Sequence, residues 1–447
     1  MSYSGPVYAF GNNYEKFETM RKTDIEEAIA SASSGGSGVR TCRVVVGSQS
    51  AGWTQDDCDY LCDGNNDEVE IQQAINSLVN KQSGGEVVLL AGEYNIKASL
   101  EFTASATTPF VVIRGSSPGL VTLLSDIQDG SNSLSAKGCL FFSGNVEGAA
   151  VCDLEIKGAS TLTQVSNAFG IVTDGIPVLV RGCKFSGIGA GLFIRSDTSG
   201  VRVFDCDFIE DGETYVATTT GINARANVSD MMVSNCRFKN VYYGVYASSG
   251  TFGESEKVSV ANCLFDTCYF GLYLQQFIGL NVSGCEAFAC RTPYNLESNC
   301  GMTVVGNVAR GVTNNGTGIS AGTGAVGSTE RGRHNIIVGN YLQSDGTAYT
   351  GIDYDGSSTF GGIISGNTVV DFTTGIKVAS KGCCVNGNIV HRGTGQTSDY
   401  SGSDFSISLN TGAVNSVVVG NVLPGRVITG SPTGLVSESN MTDPFPA

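Results

Sequence analysis

The chain has 447 residues, 41% of them hydrophobic and only 15% charged, with a formal net charge of −16. The acidic balance argues against nucleic acid as a partner, because phosphate-binding surfaces need clustered Lys and Arg, and no apolar run is long enough to insert into a membrane. The 60 Gly set against 9 Pro point to many tight corners and few interruptions of strand pairing.

The first residues, MSYSGPVYAFGNNYEKFE, have neither the basic start nor the apolar centre of a secretory leader. With an odd count of thiols, this predicts synthesis in a reducing cytosol. Residues 14–32 place Phe17, Met20, Ile25, Ala28, Ile29 and Ala32 at a roughly helical period, and Thr23 with Glu26 has the form of a capping box. SSGGSG then reads as a flexible linker, so residues 1–38 form a separable arm suited to attachment. A strand at Arg43–Val46 follows. Cys58 and Cys62 come next without a second ligand pair, which favours packed thiols over zinc. Asn66 or Asp67 is placed to cap a helix ending at Val79, with Ile71, Ala74, Ile75, Leu78 and Val79 on one face. GGEVVLLAGEYNI at 84–96 reads as a first β-coil, and the helix as a plug over its open end. Residues 39–98 are thus an N-terminal cap with coil one.

From Cys152 onward the chain repeats. The unit is Val-x-x-Cys/Asn-x-Phe/Val, seen as VRGCKF at Cys183, VFDCDF at Cys206, VSNCRF at Cys236, VANCLF at Cys263 and VSGCEA at Cys285. Asn then replaces Cys in the same frame, at Asn307, Asn340, Asn367, Asn388 and Asn421. Rungs spaced about 20 to 35 residues apart in short β-rich units define a solenoid. A second signal is a Gly opening an alternating apolar strand eight residues after the rung, at Gly191, Gly244, Gly271 and Gly375. That offset predicts a tight stacked turn. Gly221, Gly318 and Gly351 come later, so their turns carry insertions. The fold expected over residues 99–424 is a right-handed parallel β-helix, roughly 50 Å long, followed by a tail at 425–447. The ladder cysteines are expected to face inward as small apolar side chains without disulfides, with Cys268 and Cys290 as a second short stack. The asparagines are expected to bond along the stack.

EIQQAINSL followed by GGEVVLLAGEYNI resembles the opening of pectate-lyase-like right-handed parallel β-helix proteins, including bacteriophage tailspikes. The resemblance implies a virion appendage, tailspike-like or fibre-like. It would be a homotrimer joined to other virion proteins through the N-terminal arm, contacting host-surface polysaccharide or forming part of the particle. It equally implies the alternative of a polysaccharide depolymerase, a glycoside hydrolase or lyase, on the same scaffold. No motif calls for a cofactor or metal.

Strand alternation nominates the site residues. The second and fourth positions after the repeating Gly point outward, with Tyr294 taken as the Gly equivalent of its coil. The second column includes Phe193, Asn223, Tyr246, Tyr273 and Asp353; the fourth includes Arg195, Arg225, Glu297, Gly322 and Asp355. Exposed Phe193, Tyr246 and Tyr273 would serve as platforms for sugar rings, and Asn223, Arg195 and Arg225 as hydrogen-bonding partners. The same residue types also suit a subunit interface. Asp353 and Asp355 are separated by about 6.6 Å along the strand, near the lower edge of the roughly 6.5–9.5 Å window of inverting glycosidases. With Glu297 they are the candidate acid and base. The competing reading is that Asp353 simply pairs with Lys377 one coil on. Asp153, Lys184, Asp207 and Arg237 read as a cross-strand charge ladder, and Glu210, Asp211 and Glu213 as a solvated turn. His334 and His391 are the only histidines and have no nucleophile in view, which excludes a Ser-His-Asp arrangement. The Gly-rich stretch 318–332 lacks the Lys-Ser/Thr of a phosphate cradle.

Overall fold

The computed structural model describes residues 42–440, except 80–83, 109, 118, 129–136, 161, 163–167, 226, 249–254, 322–333, 356–360, 392–404, 424–427, 430–431 and 439. The proposed arm, Gly322 and most of the tail lie outside the described residues.

Within them the chain winds into a right-handed parallel β-helix. Sheet one has 16 strands, from Tyr60–Cys62 to Val436–Glu438; sheet two has 12, from Gly92–Ile96 to Ile389–His391; sheet three has 13, from Leu100–Thr108 to Ile428–Thr429. Strands pair in parallel with their copies one coil away, as in Val180 beside Val203 and Phe208 beside Phe238. The stack continues past residue 424: Ile407 pairs with Ile428, and Val417 with Val436.

One local geometry explains the repeat. A single residue in the left-handed region turns the chain from sheet one to sheet two just before each rung. Gly182, Gly284, Gly306 and Gly366 fill it with φ of 62–65°, and Asp205, Asn235 and Asn262 with φ of 53–55°. Only Gly, Asn and Asp take that conformation at low cost. The rung residue then faces the core, and the Phe two residues later stacks inside. Phe185, Phe208, Phe238 and Phe265 form a column with centroids 4.8, 4.9 and 5.1 Å apart.

That column accounts for the repeating Gly. Gly191 and Gly221 sit inside strands of sheet three, not in turns. A Cβ at Gly191 would lie 2.5 Å from the Phe208 ring, and one at Gly221 2.5 Å from the Phe238 ring. The glycine is selected by close approach rather than by a corner.

Cys183, Cys206, Cys236, Cys263 and Cys285 are buried free thiols, as are Cys268 and Cys290. Each ladder Sγ donates weakly to backbone carbonyls, such as Cys206 to Phe204 at 3.1 Å. Cys152 is not on the ladder. It is the last residue of a sheet-one strand and pairs with Arg181. Leu154 takes the rung, its carbonyl accepting from Lys184 N as Cys183 O accepts from Asp207 N. From Asn340 onward each rung receives two bonds on one oxygen: Asn340 N and Nδ2 donate to Asn367 Oδ1 at 3.0 and 2.9 Å. The ladder extends to Asn440, whose Oδ1 accepts from Asn421 N at 3.1 Å.

The helix Glu68–Val79 buries Ile71, Ala74, Ile75, Leu78 and Val79 against the first coils. Neither expected cap residue binds the helix amides with its side chain. Asp67 instead accepts from Gly64 N and Asn95 N, both at 2.8 Å, and ties the helix entry to coil one.

Candidate functional site

The outer face of sheet three carries the nominated residues in one register. Phe193 lies beside Asn223, Asn223 beside Tyr246, Tyr246 beside Tyr273, and Tyr273 beside Asn295. Asn295 pairs with Ser320, Ser320 with Asp353, and Asp353 with Lys377. The Gly equivalent in the interrupted coil is Pro293, not Tyr294. Tyr294 pairs with the inward Leu272 and is fully buried.

Phe193 is not an exposed platform. It is 1% exposed, in a separate cluster on the outside of sheet three with Phe141, Phe169, Val172 and Ala190. Its ring stacks on Phe169 at 4.9 Å. Arg195 is pinned beside it, paired with Asp174 and lying over the Phe141 ring at 5.0 Å. Apolar neighbours on adjacent coils cover one another here, which facing direction alone does not reveal. Arg225 is exposed. Asn223 is nine-tenths buried, and its Oδ1 has no partner among the described residues.

Tyr246 and Tyr273 stack at 5.2 Å and stay half-exposed. They belong to a larger aromatic patch than expected. Tyr243 stacks on Phe270 at 5.3 Å and Tyr242 on Tyr269 at 4.4 Å, while Tyr215 meets Tyr269 edge-on at 5.2 Å. Arg291 lies over the Tyr269 ring at 4.6 Å. The signal was present in the sequence as Tyr-Tyr-Gly and Tyr-Phe-Gly at 242–244 and 269–271: two aromatics precede the repeating Gly in consecutive coils.

Three coils beyond Tyr273, about 14 Å along the axis, the acids come together. Lys377 Nζ lies 2.5 Å from Asp355 Oδ2 and 3.6 Å from Asp353 Oδ2. Two Oδ2 atoms sharing one ammonium lie closer together than the roughly 6.5–9.5 Å window of inverting glycosidases. The predicted Asp353–Lys377 pairing is present. Glu297 is drawn toward the same place, with Oε1 accepting from Ser320 at 2.9 Å and Oε2 facing Gln275 at 3.5 Å.

Burial pushes the Asp353 carboxyl up to about 6; Lys377 opposes this, and Asp355 and Glu297 add to it. Lys377 itself is held above its usual value despite partial burial, because two aspartates face it. The two shifts are compatible: Asp355 supplies the close partner, whereas Asp353 is deeper and further from the ammonium. Asp353 Oδ1 and Asn295 Oδ1 are buried without partners among the described residues.

Two other nominated groups differ from expectation. The charge ladder begins at Glu155, which pairs with Lys184 at 2.9 Å, and Arg237 lies 3.8 Å from Asp266. Asp153 instead sits in a left-handed corner. Glu210 is not in a solvated turn. It is buried, accepts from Ile188 N at 3.3 Å, and burial raises it to about 7. Cys62, Asp67 and Glu70 bring ligand atoms within 4.8 Å of one another. They fit a metal poorly, because both Asp67 oxygens already accept backbone N–H groups and burial keeps the Cys62 thiol protonated.

Residues 178–360 match the family described as the right handed beta helix region. No curated protein matches the chain. Among solved structures, the family 28 exopolygalacturonase of Yersinia enterocolitica is similar over 91% of this chain and 79% of its own, at 11% identity and a TM-score of 0.54. The A-module of a mannuronan C-5 epimerase of Azotobacter vinelandii is similar over 87% of this chain and 98% of that module, at 14% identity and a TM-score of 0.43. The catalytic domain of a GH87 α-1,3-glucanase aligns over 83% of this chain and 67% of its own, at 15% identity and a TM-score of 0.49. What the exopolygalacturonase shares with this chain is the fold. This chain is built as a right-handed parallel β-helix.

Proposed function

We propose that the outer face of sheet three, from the Tyr242–Tyr246 patch to Asp355, binds a polysaccharide laid along the helix axis. The observation that carries this reading is the run along two neighbouring columns from stacked half-exposed tyrosines, past the orphaned Asn295 acceptor, to three carboxylates. Aromatic faces take the apolar side of sugar rings, and acceptors without partners take hydroxyls. Sugar binding would be measured by calorimetry on the full chain. Tyr246→Ala and Tyr273→Ala are each expected to weaken it by about tenfold, as a loss of about 1.4 kcal/mol implies. Unchanged affinity in both would sink the reading.

A second reading, hydrolysis on the same face, is favoured by the Asp353 value of about 6. A carboxyl poised there suits a general acid. Asp355 is neutralised by Lys377, which leaves Glu297 as the base or nucleophile. A lyase is disfavoured, since a lysine held more firmly protonated is a poor base. Asp353→Asn is expected to abolish release of reducing ends while preserving sugar binding. Equal release by wild type and Asp353→Asn would remove Asp353 from the chemistry.

The setting we propose is a virion appendage, homotrimeric, attached to other virion proteins by residues 1–38. It rests on the opening motif and on the composition of the arm. An apolar column on the outside of sheet one, including Ile336, Ile363 and Val436 at 36–45% exposure, offers the trimer a surface. Tail or capsid genes beside this one would support that setting, and a neighbourhood of sugar-catabolic genes would refute it.

A further inference from the structure

The ligand chemistry is written in the charges and orphaned atoms of this face, and the argument rests on the polysaccharide reading above. From Tyr246 to Lys377 the two outward columns hold three carboxylates and one cation among the described residues. That cation, Lys377, is shared by Asp353 and Asp355. Arg291 is engaged on the Tyr269 ring. Glu297 has no ion pair among the described residues, and its oxygens meet only Ser320 and Gln275. It is close enough to Tyr273 that its charge, after burial and Tyr246, contributes to raising that phenol.

Along this stretch the buried atoms left without partners are oxygens, Asn295 Oδ1 and Asp353 Oδ1. Asn295 is nine-tenths buried and lies between Tyr273 and Ser320 in the register. Oxygens left without donors just beneath this face favour donors over further acceptors in whatever lies on it. A carboxylate sugar brings acceptors and like charge to an acidic face, and desolvating it there is unfavourable.

We propose that this face selects a glycan bearing free amino sugars, with an ammonium group seated between the Glu297 carboxylate and the Tyr273 ring. A cation beside an aromatic face and an unpaired carboxylate is stabilised by both. A neighbouring hydroxyl of the same sugar donates toward Asn295, which lies one coil from Tyr273. Polyuronates are excluded from this stretch.

The test is calorimetric titration of the full chain, just below neutral pH, with three sets of oligosaccharides in several linkages: glucosamine, N-acetylglucosamine and galacturonate. The glucosamine set is expected to bind at least about tenfold more tightly than the N-acetylated set, with affinity falling as salt is raised. Glu297→Gln is expected to abolish that preference by weakening glucosamine binding at least about tenfold, toward the N-acetylated level; circular dichroism checks that the variant folds. Tighter binding of the galacturonate set overturns the inference, as does a preference that survives Glu297→Gln. Equal binding of the amine and its N-acetyl form overturns it while the polysaccharide reading stands. No binding by any set overturns both.

Discussion

At the residue scale, Asp353 is the group whose charge fits its surroundings least. Its carboxyl sits at about 6 in the fold against an ordinary value of 3.8. Between those values the folded chain binds more protons than the unfolded one, so the Asp353 contribution to stability falls as pH rises from about 4 to about 6 and is flat above. The imbalance is about 3 kcal/mol. Asp353→Asn is therefore expected to raise the urea midpoint at pH 7.5 and to leave it nearly unchanged at pH 4. A variant less stable than wild type at pH 7.5 would mean that the Lys377 contact outweighs burial. Glu210 poses a second question, since its carboxylate holds the backbone at Ile188. Glu210→Ala should cost about 1–3 kcal/mol by leaving buried N–H groups unpaired. Glu210→Gln keeps an acceptor and should cost little above pH 7; equal losses in the two variants would show that the oxygen is unimportant.

At the element scale, the two halves of the ladder are held differently. Cys rungs fill space and donate weakly, so Cys236→Ala should cost what a small cavity costs, about 1–2 kcal/mol. Asn rungs carry backbone bonds. Removing the Asn367 side chain strands Asn340 N and frees the carbonyl of Ile337, while Asn340 Nδ2 keeps the carbonyls of Val304 and Val338. Asn367→Ala should therefore cost at least about 3 kcal/mol. Urea denaturation of the pair decides it, and equal losses would refute the distinction. The repeating glycines give a coupled prediction. Gly221→Ala should destabilise by about 1–3 kcal/mol through the Phe238 ring, and Phe238→Leu in the same chain should recover part of that loss. Additive effects would place the strain elsewhere.

At the scale of the whole molecule, one core runs the length of the stack, and its ends decide association. The Glu68–Val79 helix covers the first coils. At the other end no described helix packs on the last described strand, Val436–Glu438. The sheet-one apolar column that runs to this strand favours self-association. Light scattering at micromolar concentration is expected to give a trimer, and Ile363→Asp to give a monomer with the β-rich circular dichroism spectrum retained. A wild-type monomer would refute the trimer.

The sequence by itself determined the coil. A period of 20 to 35 residues, small or polar corner residues and a recurrent Phe can be satisfied together only when successive copies stack in register, so the fold, the inward ladder and the buried helix face were all legible. The facing direction of Tyr246, Tyr273, Glu297, Asp353 and Asp355 was legible for the same reason, since alternation along a strand is local. Only the tertiary structure decided what lies beside those side chains. Phe193 is covered by rings from coils before it, and Asp355 is neutralised by a lysine from the coil after it. Leu154 displaces Cys152 from the rung, and Glu210 is turned inward by a backbone amide of the preceding coil. Lateral neighbours in a β-helix come from a full coil away, across turns of unequal length. Their burial, ion pairing and proton affinity therefore depend on through-space contacts that no local pattern encodes.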